Sequence, residues 1–464
     1  MRRIPLTVII LALAFALPAF SQQRWERTYG GTSDDGGYSV KQTTDGGYII
    51  AGYTWSNYDV YLIKTNASGD TFWTKTYGGS RGDYSNSVQQ TTDGGYIVAG
   101  WTYSFGAGND DVYLIKTNAS GDTLWTKTYG GWGFDWGYSV QQTTDGGYIV
   151  AGGTGSFGAG NADIYLIKTN ASGDTLWTKT YGGTNSDGGN FVQQTTDGGY
   201  IVAGYTGSFG NGGQVYLVKT NASGDTLWTR TYGGTNTDYG YSVQQTSDRG
   251  YIVAGFTGPF GGPYDVYLIK TNATGDTLWT KTYGGTNTDV GYSVQQTSDG
   301  GYIVAGYTQS FGAGDSEVYF IKTNASGDTL WTRTYGGTNQ DVGYSVQQTT
   351  DRGYIICGQT NSFGDSMQVY LIKTDSLGRS TGVEETAEGR GQRLENRLTA
   401  KPNPFTTFAT LPGHEGERFS LYDVSGRKVG VFKGARVGEG LAPGVYFLRP
   451  SDQNGKPLRV VKIR

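Results

Sequence analysis

The 464-residue chain is poor in the side chains that most often carry chemistry: one cysteine (Cys357), one histidine (His414), two methionines and ten prolines. One cysteine closes no internal disulfide. One cysteine and one histidine cannot supply the three or four N/S ligands of a zinc site, and no other metal site is expected. A Ser-His-Asp or Cys-His catalyst would have to use His414, outside the main body of the chain. A basic footprint is also missing: residues 22–379 hold 20 basic against 31 acidic residues, which argues against a nucleic-acid partner, whereas residues 380–464 hold 14 against 9. Beyond residue 21 no apolar run is long enough to span a bilayer. What is abundant is glycine, 78 residues or one in six, against a usual ~7%. Aromatic residues reach 14%, which separates the chain from disordered sequences, and no G-X-Y register exists to suggest collagen.

Residues 1–21 read as a secretory signal peptide. Arg2 and Arg3 form a charged start, an apolar stretch runs to Leu17, and Ala19-Phe20-Ser21 gives a small-x-small cleavage site before Gln22. No cysteine follows that site, so a lipid anchor is not expected. The expectation is an exported, soluble monomer, secreted or displayed at the cell surface.

The glycines belong to a repeat. A W-x-x-T-Y-G-G element places tryptophans at 25, 73, 125, 177, 228, 279 and 331, spaced 48, 52, 52, 51, 51 and 52 residues apart. Each unit offers four strands. GYSVQQT (strand A) and GYIVAGYT (B) flank Thr-Asp-Gly-Gly or its Arg variant, a hairpin signal, and VYLIKT (C) and TLWTKTY (D) flank Asn-Ala-Ser-Gly-Asp. Four antiparallel strands per ~50 residues is the arithmetic of a β-propeller blade. An open solenoid is the rival, and the chain ends decide between them. The first unit begins with a lone D strand (residues 24–31), and the seventh lacks one after residue 374. An N-terminal strand that completes the last blade would close a ring of seven and remove the exposed edges. The fold class is therefore all-β: a seven-bladed β-propeller over 22–378, a linker over 379–398, and a small Ig-like β-sandwich over 399–464.

The repeat text GYSVQQTTDGGYIVAGYT…VYLIKTNASGDTLWTKTYGG resembles the bacterial extracellular propeller repeats grouped as SBBP or delta-60 type. The ASGDTLW turn is faintly similar to the tryptophan-docking repeat of PQQ-type quinoproteins. Those enzymes often carry a vicinal cysteine pair that one cysteine excludes, so no cofactor is expected. At the C-terminus four blocks occur in order: Pro402-Asn403-Pro404-Phe405, Tyr422-Asp423 with Gly426-Arg427, Gly444 to Phe447 around Tyr446, and a basic last strand containing Lys462. They resemble the type A C-terminal sorting domain of type IX secretion. The resemblance implies recognition by that machinery and release or attachment outside the outer membrane.

In a propeller the A-B and C-D turns share one face and the B-C and D-A loops the other. Here the turns are nearly constant and the loops vary, and variable loops on a rigid scaffold are where binding usually lives. Trp55, Trp101, Trp132 and Trp136, outside the strand-D set, fall on that variable face in blades 1–3, near Tyr58, Tyr84, Tyr103, Phe105 and Phe134. One aromatic sector is expected. Flat rings among Asp, Asn and Gly suit sugar or peptide recognition; the plainer reading is that they plug the mouth of the ring.

Aspartates recurring in the D-A loops (Asp35, Asp83, Asp135, Asp187, Asp238, Asp289 and Asp341) fit an Asx turn better than a ring of cation ligands. Sequon asparagines such as Asn66 read as turn formers, and Cys357 as a buried small residue where other blades have alanine. The expected function is a non-catalytic binding or adhesion module for a glycan or protein. The alternatives are a carboxylate-based glycan-active enzyme, which needs only two carboxyls, or a display scaffold. Against the enzyme, the residues that break the repeat are aromatic while the acids follow it, and Arg81 is the only propeller arginine in a variable loop.

Overall fold

The computed structural model describes residues 22–381, 406–411, 418–423, 427–433, 436–450 and 458–462. The chain divides into two compact units, residues 1–384 and 385–464.

The first unit consists of seven four-stranded antiparallel sheets. In blade 1 the strands are Asp35–Gln42 (A), Tyr48–Thr54 (B), Asp59–Thr65 (C) and Thr71–Tyr77 (D), hydrogen-bonded in that order. The last blade takes its outer strand from the other end of the chain: Trp25–Tyr29 pairs antiparallel with Gln368–Thr374, from Trp25↔Lys373 to Tyr29↔Val369. The ring is closed as the orphan strand implied. The seam carries one group that no other seam has, the buried Glu26 carboxylate, which accepts from the Tyr370 and Ser380 hydroxyls.

In the sequence B and C do not alternate cleanly between apolar and polar residues, and the burial pattern explains why. In blade 3 every residue of Tyr148–Thr154 and Asp163–Thr169 is buried, because neighbouring blades cover both faces of each sheet. Strand D instead alternates exposed and half-buried positions at the rim. The repeated tryptophan of strand D packs edge-on against the first tyrosine of the next blade's strand B, as in Trp125–Tyr148 at 5.8 Å and, across the closure, Trp25–Tyr48 at 5.8 Å. The strand-D tyrosine donates to a glycine carbonyl in the next blade's C-D turn, as in Tyr129 Oη to Gly173 O at 2.6 Å.

The turns follow side-chain chemistry. Asn66 Oδ1 accepts from the Ser68 and Asp70 amides at 2.8 and 2.9 Å, which makes the sequon position an Asx turn. In the A-B hairpin Gly46 has φ +82°, and Arg249 and Arg352 adopt φ +66° and +67° at the same place. Cys357 is fully buried on strand B, as its alanine counterparts are.

In the second unit the described residues form one four-stranded antiparallel sheet, in the order Lys428–Lys433, Arg418–Asp423, Gly444–Pro450, Leu458–Lys462. Ala409, Leu411, Phe419, Leu421, Val437, Tyr446, Leu448 and Val460 share its core. Of the second layer that a sandwich requires, the described residues show only the antiparallel bridge between Ala409 and Val437.

Candidate functional site

The B-C and D-A loops meet on one face because strand A begins opposite the end of strand B, as in Asp135↔Thr154, and strand C begins there too, as in Thr154↔Asp163. The loop aspartates hold this face together. All seven accept a backbone N–H four residues upstream on Oδ2, at 2.8–3.1 Å. In five blades a serine hydroxyl of the B-C loop joins them at 2.6–2.7 Å. Their role is to cap the crossover. Among the described residues no group of three or more His, Cys, Asp or Glu is placed to hold a metal ion.

The aromatic residues divide by exposure. Trp132 is 85% exposed, and Trp55, Tyr58 and Phe134 are 45–48% exposed. Trp55 and Tyr58 lie 5.7 Å apart, and Tyr58 sits at φ +58°, a left-handed conformation that costs a non-glycine residue ~1 kcal/mol. Trp101, Tyr103 and Trp136 are instead half-buried. Trp101 stacks on Tyr84, its cross-strand partner, at 4.1 Å, and meets Tyr103 edge-on at 5.3 Å. Trp136 stands opposite Gly153, which leaves it room, and stacks on Phe134 at 5.8 Å. Phe105 has a repeated role: it packs on Tyr113 of strand C as Phe157 packs on Tyr165 and Phe311 on Tyr319.

Two features depart from the sequence reading. The aromatic rings are not confined to blades 1–3. The same cross-strand positions in blades 4 and 5 build a second cluster, with Tyr205–Tyr239 at 4.5 Å, Tyr239–Phe256 at 5.1 Å and Phe256–Tyr264 at 4.6 Å. Tyr205, Tyr239 and Phe256 belong to strands that look like plain repeat and Tyr264 immediately precedes strand C, so counting tryptophans in loops did not find them.

The second departure is that an acid beside the aromatic rings breaks the repeat. Asp110, buried just before strand C of blade 2, accepts from Trp136 Nε1 at 2.8 Å and from the Tyr103 hydroxyl, while its Oδ1 is buried without a partner. Burial raises its pKa, opposed by those two hydrogen bonds and by the charge of Arg81. Arg81 itself lies over the Tyr103 ring at 5.4 Å. The sequence signal was the adjacent pair Asp110-Asp111; no other blade has two consecutive acids there, although blade 6 has Asp315 and Glu317 with one residue between them. Tyr103, Trp136, Asp110 and Arg81 therefore form one connected group spanning blades 2 and 3, beside the exposed Trp132 and Phe134.

In the second unit Pro402, Asn403, Pro404, Phe405 and Gly426 lie outside the described residues. Asp423 accepts from the Arg427 amide and Nε at 3.1 Å, closing a tight turn. Arg449 lies over Tyr422. Gly444 opens its strand, Tyr446 Oη donates to Ala442 O at 2.8 Å, and Lys462 is buried with Nζ donating to Thr407 O and Gly438 O at 3.4 Å. These residues shape the sheet.

No family model and no curated protein matches the chain. Among solved structures it is similar to a protein of unknown function from Bacteroides caccae, at 14% identity over 65% of this chain and 94% of that one, TM-score 0.40. It is also similar to a protein of unknown function from Dyadobacter fermentans, at 12% identity over 77% and 100%, TM-score 0.43. A third is the WD40 domain of Neurospora crassa Pan2, at 10% identity over 76% and 92%, TM-score 0.47. The propeller is established by the sheet order described above.

Proposed function

We propose that the chain is an exported surface propeller that binds glycans non-catalytically on its loop face. The observation that carries this is the set of exposed rings in blades 1 and 3, Trp55, Tyr58, Trp132 and Phe134, next to the Asp110–Arg81 group. Ring faces left open to water stack favourably on the apolar CH faces of sugars, and fixed polar neighbours orient the hydroxyls. The half-buried Trp101 and Trp136 support that surface. Export is supported by the leader over residues 1–21. Delivery to the cell exterior by type IX secretion is supported by the order of the four C-terminal blocks. The likeness of the repeat text to the SBBP or delta-60 type supports the same reading.

Glycan-array binding by the purified chain, compared with a Trp55→Ala/Trp132→Ala variant, tests the proposal. Binding should fall at least ~tenfold with the melting temperature unchanged, because both rings are largely open to solvent. Equal binding by the variant removes the aromatic face from consideration. Turnover of a bound polysaccharide, lost on Asp110→Asn, would replace the binding module with the enzyme.

A further inference from the structure

Strand A of every blade lines a cavity of about 310 Å³ on the axis of the ring. Its wall is built from the edge each sheet turns inward, and the N–H groups of such an edge need acceptors. The repeat supplies them from the preceding blade. Gln89, Gln141, Gln193, Gln244, Gln295 and Gln347 each offer Oε1 to the next blade's last strand-A amide at 2.5–2.7 Å. Because an N–H can only be met by the oxygen, the orientation of all six carboxamides is settled. Their NH₂ groups are left on the cavity side with no protein acceptor.

The seventh position is Lys41. An ammonium accepts nothing, so the Gln90 amide has no side-chain acceptor of this kind and the amide ring is broken there. Lys41 lines the same cavity, makes no ion pair or hydrogen bond, and faces no Asp or Glu among the cavity-lining residues. Lys41 is half-buried, whereas the fully buried lysines of the propeller are each paired with a carboxylate, as Lys168 is with Asp145 at 2.9 Å. Burial alone lowers the Lys41 pKa. A desolvated cation without a counter-charge is costly. Here it replaces a glutamine that would have completed the ring, and it shares the cavity with the NH₂ groups of the six glutamines and with neutral Tyr, Ser and Asn side chains, none of which carries a counter-charge.

We propose that this axial cavity binds the oxyanion group of a small solute, a carboxylate or a phosphate, through the Lys41 ammonium and the surrounding glutamine NH₂ groups. The site is separate from the aromatic loops and does not depend on the glycan reading. A bound oxyanion would supply the missing counter-charge and satisfy several donors at once, and charge-assisted hydrogen bonds of this kind are the strong ones.

Isothermal titration of the purified full chain with inorganic phosphate and, separately, with citrate at constant ionic strength tests it. The wild type should bind at least one of the two at a single site; tighter phosphate binding assigns a phosphate group, tighter citrate binding a carboxylate. Lys41→Gln copies the residue of the other six blades, so it should fold and melt at or above the wild type without anion. It should weaken binding at least ~tenfold, and Lys41→Met should do the same, while Lys41→Arg keeps the affinity. The proposal is overturned if neither anion binds the wild type up to ~10 mM. It is equally overturned if Lys41→Gln and Lys41→Met bind as tightly as the wild type.

Discussion

On the turn face of each blade an aspartate meets a lysine, whereas on the loop face an aspartate meets another carboxylate or a glutamine. The A-B turn aspartates, Asp45 through Asp351, receive a buried strand-C lysine at 2.8–2.9 Å in all seven blades. At the opposite end of the same strand Asp163 faces Asp187, and a Cβ on Gly182 would fall within contact of both. The pair repeats as Asp59 with Asp83 and Asp265 with Asp289, while blades 4 and 7 place Gln214 and Gln368 there. One strand thus ends in a satisfied charge on one face and a strained one on the other. Stability is concentrated on the constant face, and the loop face tolerates polar strain alongside its variable aromatic rings.

That comparison presumes a closed ring, so opening the ring is the severest way to break it. Deleting residues 22–31 removes the strand that pairs with Gln368–Thr374 and exposes the core around Val369 and Leu371. Trp25 is 5% exposed in that core, and Trp25→Ala alone should cost about 3–5 kcal/mol. The deletion should cost more and convert a single calorimetric transition into a broad, early one. An unchanged, sharp transition would mean that the seven sheets do not depend on closure.

Much of this architecture could be read from the text of the repeat, because turn residues, tryptophan spacing and the orphan strand are local signals. The seam chemistry could not. The text of the repeat shows the lysine of VYLIKT only as a polar residue within a largely apolar strand; the fold shows it crossing to the A-B aspartate. Asp110 shows in the sequence only as half of the Asp110-Asp111 doublet, with nothing to link it to Trp136 or Tyr103, and the Tyr205–Tyr239–Phe256 cluster is built by residues that vary within otherwise regular strands. Pairing between strands and packing between blades bring these side chains together from positions 17 (Tyr239 and Phe256) to 34 (Tyr205 and Tyr239) residues apart, too far for a short window of sequence to show them as partners.

The turn face should respond to loss of the acid more than to loss of the base. Lys168 is 4% exposed on its side chain and Asp145 57%, so Asp145→Ala leaves a buried ammonium with one carbonyl, Thr169 O, and should cost about 2 kcal/mol. Lys168→Met leaves a solvated carboxylate and should cost less. Burial works to raise the Asp145 pKa, but hydrogen bonds from Thr143, Lys168 and the Gly147 amide, with the lysine charge, hold it at about 2. Since the folded value lies below the ordinary 3.8, this stability is present above that value and is lost as the pH falls toward 2. Denaturant melts of the two variants at neutral pH would refute the assignment if Lys168→Met were the more damaging.

The loop face should show the opposite sign and the smallest effect. Asp163 is pushed up by burial first and by the charge of Asp187 second, and only the Ala159 amide, at 2.7 Å, works against this. Its Oδ1 and that of Asp187 are buried without partners. A folded-state pKa above the ordinary 3.8 means the stability of the acid form is fully present below that value and drains away as the pH rises through the folded value. Blade 4 shows an alternative: Gln214 Nε2 donates to Gly234 O at 2.7 Å beside Asp238. Asp163→Gln should therefore stabilise the propeller by about 1 kcal/mol at neutral pH and leave it unchanged near pH 3.5, where the unfolded carboxyl also keeps its proton. Thermal melts of wild type and variant from pH 3.5 to 8 check this. A gain independent of pH would assign the effect to packing, and a loss at neutral pH would show that the two carboxylates are not in conflict.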